Sequence, residues 1–184
     1  MRISSRFSLG LLAAACVACA SIANAYPLPT GLVDTRGHVF DAAVLKSQWT
    51  LLTFGFTHCG ATCPAVLAEA HRFLASVESM PGKPPAVQVV FVTLDPLSDD
   101  PSALRHYLKQ FDTRLTGVTG DPAAIDALTH SLHVGVTHES GVIEHSAEWY
   151  LISPELHVVA VYPAATMSGT KLALDVSRLV RSAT

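Results

Sequence analysis

The chain has 184 residues, 49% of them hydrophobic, and a formal net charge of −3. Setting aside an exported leader over residues 1–25 removes Arg2 and Arg6 and no acidic residue, leaving 159 residues at a charge of −5. That length suits one domain with a proper core and not two, and the acidic balance argues against nucleic acid or an anionic membrane surface as partner.

The leader reading rests on Arg2 and Arg6, the apolar stretch Leu9 to Ala20, and Ala23-Asn24-Ala25, a small-x-small cleavage signature before Tyr26. Two alternatives stay open: an uncleaved anchor, for which Leu9 to Ala25 is short, and a lipid-bearing cysteine at Cys16 or Cys19. Exported, the protein would sit in the periplasm, and at the inner membrane only if the leader is retained. Cys16 and Cys19 lie in the leader, so the exported chain has two cysteines, Cys59 and Cys63. A single pair is no disulfide scaffold, which makes its chemistry functional first.

Past Tyr26, Leu32-Val33-Asp34 and His38-Val39-Phe40 flank Thr35-Arg36-Gly37 as a small hairpin. Trp49 to Phe56 reads as a central strand covered on both faces. From Pro64, Val66, Ala70, Phe73 and Val77 recur at helical spacing, so the cysteines fall where a strand hands over to a helix. Pro81 to Pro85 is a loop, and Val87 to Leu94 a second buried strand. Asp99 and Asp100 read as helix caps before Pro101, whose helix turns Leu104, Tyr107, Leu108 and Phe111 inward. Leu115 to Thr119 is a short strand, and Asp121-Pro122 opens a helix with Ile125, Leu128 and Leu132 on one face. Glu148 to Ile152 and His157 to Tyr162 form an antiparallel hairpin, and a last helix carries Leu172, Val176, Leu179 and Val180 inward. This order fits a thioredoxin-like three-layer α/β/α sandwich with an N-terminal hairpin extension, one domain over 26–184.

Cys59 and Cys63 lie in Thr57-His58-Cys59-Gly60-Ala61-Thr62-Cys63-Pro64. Thiolates attack disulfides and bind metals, and a helix N-terminus lowers a thiol pKa toward them, the placement expected for Cys63. Redox pairs favour a two-residue gap, whereas the three residues here leave room for both sulfurs to face one soft ion. His145, just before the Glu148 strand, would face the cysteine loop in this fold. Two thiolates and one imidazole suit Cu(I) and tolerate Cu(II), while zinc would want a fourth ligand. Asp95, at the end of a buried strand, is open to orienting His145, tuning the site or meeting a partner, and equally to ordinary Asp-Pro turn chemistry. His58, His130, His133 and His138 read as solvated surface groups first.

Three stretches in order carry a family resemblance: Phe54 to Pro64, then Val92-Thr93-Leu94-Asp95-Pro96-Leu97-Ser98-Asp99-Asp100-Pro101, then His145-Ser146 before a Tyr-Leu strand. Together, from about Leu32 to about Pro163, they resemble the SCO/SenC family. The resemblance implies a thioredoxin-like fold, copper held by Cys59, Cys63 and His145, and a copper-receiving partner, the binuclear copper site of a cytochrome c oxidase subunit. Two features depart from the family pattern: Ala61 stands where an acidic residue is common, and 133–144 is short for the loop before the histidine. The function expected is a metallochaperone, without substrate turnover. The alternative is a thiol:disulfide oxidoreductase acting through Cys59 and Cys63 on a copper site's cysteines or on other exported proteins. A cysteine peroxidase would want an arginine beside its sulfur, and none flanks the motif. The plain alternative is a structural disulfide between the two.

Overall fold

The computed structural model describes residues 28–46, 48–82, 85–139 and 142–183. The expected leader, with Cys16 and Cys19, lies outside them, as do Lys83 and Pro84 of the expected 81–85 loop. The elements in chain order are β1 (Leu32–Asp34), α1 (Ala42–Leu45), β2 (Trp49–Gly55), α2 (Thr62–Glu78), β3 (Val87–Thr93), α3 (Pro101–Leu108) and β4 (Thr116–Gly120). There follow α4 (Pro122–Ser131), β5 (Val136–Glu139), β6 (Val142–His145), β7 (Glu148–Ile152), β8 (Val158–Pro163) and α5 (Gly169–Ser182).

Six strands form one sheet in the order β1-β4-β3-β2-β7-β8. Strand β3 runs parallel to both β2 and β4, whereas β7 is antiparallel to β2 and to β8. Side chains alternate across a strand, so each central strand feeds two cores. Leu51, Val89 and Phe91 face a core built with α2, α3 and α5; Leu52, Phe54, Val90 and Val92 face a second core built with α1 and α4. The three-layer expectation is met, and the near-continuous apolar runs of β2 and β3 follow from burial on both faces.

The helices start where their signals stand. Asp100 Oδ1 accepts from the amides of Ser102 and Ala103 at 2.8 Å each and so caps α3. Helix α5 is capped twice, by Ser168 and by Glu69 of α2, whose Oε2 accepts from Gly169 N–H at 2.7 Å.

Four features differ from expectation. Besides forming the expected N-terminal hairpin, in which Asp34 N–H donates to His38 O at 2.8 Å and Phe40 N–H to Leu32 O at 2.9 Å, β1 pairs antiparallel with β4, closing the far sheet edge. The short helix α1 follows Asp41, whose side chain caps it. The stretch before His145 is itself a hairpin, β5 against β6, placed apart from the main sheet. Leu179 points outward, 37% exposed, because the buried row of α5 runs Leu172, Ala173, Val176, Ser177 and Val180.

Candidate metal centre

Strand β2 ends at Gly55, and a turn in which Cys59 N–H donates to Phe56 O at 3.3 Å leads into α2. Cys63 falls in the first turn of that helix, which no side chain caps at Ala61. Both thiols are free. Cys63 is 2% exposed and Cys59 half-buried, and the Cys59 thiol is near enough to bear on the Cys63 proton. Gly55 makes this close seating feasible, since a Cβ there would stand 2.8 Å from the Cys63 sulfur and 2.7 Å from Phe91 Cζ.

The electrostatics of Cys63 correct the sequence expectation. Burial first, and then the Cys59 thiol beside it, push the Cys63 thiol up to about 12, although the Phe56 backbone pulls the other way. Loss of solvent outweighs the helix N-terminus, so the site as built stores a thiol rather than a thiolate.

His145 closes β6, where it pairs with Val136. Its Nδ1 lies 2.9 Å from the carbonyl oxygen of Ser146, so Nδ1 donates there, and in the neutral ring Nε2 is the nitrogen left with the lone pair. Its ring meets Phe56 edge-on, with centroids 6.2 Å apart, so the imidazole abuts the segment that carries Cys59. Among the described residues, however, no three His, Cys, Asp or Glu side chains are gathered tightly enough to hold an ion. The structure brings the cysteines together and sets His145 beside their loop without closing the triad.

Asp95 sits in turn chemistry. Its amide donates to Thr93 Oγ1 at 3.0 Å, and its carbonyl accepts from the amides of Ser98 and Asp99. The hydrogen-bond partner of His145 is Ser146, not Asp95. His58 is exposed and turned to Thr57 Oγ1, 3.1 Å from its Nδ1, and His130, His133 and His138 are exposed.

Asp99 is the residue that sequence reasoning misplaced. It is fully buried and caps nothing; its carboxyl accepts from Thr93 Oγ1 at 2.6 Å, from Thr57 N–H at 3.0 Å and from the Thr57 hydroxyl. The available signal was arithmetic: two aspartates precede Pro101, and one helix needs one cap. Nearby, the Tyr107 hydroxyl is buried with no partner among the described residues. Burial above all pushes its pKa upward.

The sequence model of SCO1/SenC matches residues 24–181. The chain belongs to the SCO1/SenC family. It is 38% identical over 130 residues to the human protein named Protein SCO2 homolog, mitochondrial, a match covering 67% of this chain and 48% of that one. The chain thus spans about half the length of the curated relatives it first matches. Among solved structures, it resembles Arabidopsis thaliana ScoI with copper bound at 30% identity and a TM-score of 0.78, over 86% of this chain and 99% of that one. Bradyrhizobium japonicum ScoI with copper bound is also 30% identical, at a TM-score of 0.70, over 82% and 96% of the two chains. The fold is therefore the thioredoxin-like fold of the Sco structures.

Proposed function

We propose that this SCO1/SenC chain is an exported carrier that takes up one copper ion on Cys59, Cys63 and His145. It passes the ion to a cuproprotein by ligand exchange, the binuclear copper site of cytochrome c oxidase being the acceptor. The observation that carries this reading is the donor set: two free, adjoining thiols beside an imidazole whose Nδ1 is engaged and whose Nε2 has no partner among the described residues. The copper-bound ScoI structures of two relatives support it.

Uptake requires the β5–β6 hairpin to bring the imidazole onto the sulfurs. The hairpin base is tied by Ser146 N–H to Gly135 O at 2.9 Å and by Gly135 N–H to Ser146 Oγ at 3.3 Å, and Val136 and Ile143 pack it against the core, so these are the contacts that the movement has to loosen. Binding displaces the thiol protons, which makes release to an acceptor sensitive to protonation. The test is copper stoichiometry of the reduced protein: near one equivalent in the native chain, lost in Cys59→Ser and Cys63→Ser and weakened in His145→Ala. Unchanged binding in His145→Ala removes the histidine from the set.

The asymmetry of the pair, Cys59 half-buried and Cys63 buried, favours a second reading as a thiol:disulfide oxidoreductase. Cys59 would attack a target disulfide and Cys63 resolve the mixed disulfide. The target then gains two electrons and two protons, and the pair ends as a disulfide. Disulfide reduction by metal-free protein that needs both cysteines and ignores His145 selects this enzyme over the carrier.

A further inference from the structure

Resting on the copper reading of the site, we propose that Asp99 is a positioning residue that fastens the cysteine loop to the end of β3. The Asp99 carboxyl has no solvent contact, so its oxygens must be satisfied from within. Two of its three bonds go to Thr57, two residues before Cys59, through the amide at 3.0 Å and through the hydroxyl. The third goes to Thr93 at 2.6 Å, the last residue of a strand buried in the centre of the sheet.

Asp99 therefore ties the turn before Cys59 to a strand buried at the centre of the sheet, and the tie acts on the chain that leads to Cys59. Cys63 is already fixed by α2, so the distance between the sulfurs depends on the Thr57 to Cys59 turn. A carrier needs that distance held for one ion yet needs Cys59 reachable by an acceptor. A brace two residues upstream meets both demands without occupying the site.

Substitution separates geometry from charge. In Asp99→Asn, the amide oxygen can keep the Thr57 N–H and Thr93 O–H bonds while its NH2 donates to Thr57 Oγ1, freeing that hydroxyl to donate to His58 Nδ1, already 3.1 Å away. Asp99→Ala removes all three bonds. The readouts are amide hydrogen exchange of metal-free protein, and copper affinity with the sulfur-to-copper charge-transfer spectrum of loaded protein.

In Asp99→Ala, exchange at the amides of Thr57 and Cys59 rises about tenfold or more beyond any rise in β2 and β3, and copper affinity falls about tenfold, as expected for loss of the loop's two anchoring bonds. The charge-transfer band shifts, and Asp99→Asn restores each readout. Native exchange at Thr57 and Cys59, native affinity and band in a folded Ala variant, or an Asn variant as impaired as Ala, overturns the proposal. Should the Ala variant fail to fold, Thr57→Val decides: a rise of about threefold in Cys59 exchange supports the brace, and no rise overturns it. A native chain that binds no copper defeats the copper reading instead, and the exchange measurements then judge the brace alone.

Discussion

Gly55 and Cys63 share a space that has no room for one more carbon: a Cβ on Gly55 would lie 2.8 Å from the Cys63 sulfur. Overpacking of this kind costs about 1–3 kcal/mol, so Gly55→Ala is expected to lower stability by that amount. Because Phe91 Cζ would also stand 2.7 Å from the new carbon, Cys63→Ala relieves only part of the clash. A double-mutant cycle read by urea denaturation gives a coupling of at least about 0.5 kcal/mol between the two positions. Strict additivity would place the sulfur elsewhere.

Tyr107 packs its ring against Phe91 and Phe111, with centroids 6.4 and 5.3 Å away, while its buried hydroxyl has no partner among the described residues. Tyr107→Phe keeps both ring contacts and removes the orphaned group. The expected result is unchanged or raised stability, by up to about 1 kcal/mol, in thermal or urea unfolding. A loss larger than that would mean the hydroxyl has a bonding partner.

Asp112 predicts how stability depends on acid. The Arg114 guanidinium, with Nε 2.9 Å from Oδ1 and Nη2 2.6 Å from Oδ2, holds the carboxyl well below the usual carboxylate range against the effect of burial, and His71 adds a bond at 2.9 Å. A depressed native pKa means the unfolded chain takes up the proton first. The stabilisation is therefore complete above the unfolded carboxylate pKa and is lost as pH falls toward the native one. Asp112→Asn is expected to cost about 1.5–3 kcal/mol at pH 7, with the gap to the native chain narrowing as pH drops below about 4. A gap that holds constant from pH 7 to pH 3 would contradict the assignment.

The elements that position the cysteines are legible because their signals are local. The apolar run of β2, the Val66/Ala70/Phe73/Val77 row of α2 and the Asp100-Pro101 start of α3 each decide structure over a few residues. What stays hidden depends on partners far along the chain. Nothing in Leu32 to Asp34 announces pairing with β4, whose residues lie more than 80 positions away. The β5–β6 hairpin lacks a strong apolar alternation, since among its described residues only Val136 and Ile143 lean on the core. Leu179 fits a helical row by spacing, yet α5 is rotated so that Val176 and Val180 bury instead. At the site, Cys59, Cys63 and His145 are readable as residue types, whereas the Cys63 thiol follows its burial and Asp99 its depth. Those are properties of packing, which no short window of sequence contains.

The claim that three side chains hold one copper ion is tested most directly by X-ray absorption at the copper edge of reduced protein loaded with one equivalent. Two sulfur ligands and one imidazole nitrogen are expected, with the imidazole signal lost in His145→Ala and the sulfur signal collapsing in either cysteine-to-serine variant. A native spectrum lacking the imidazole, or one unchanged by His145→Ala, would contradict the account.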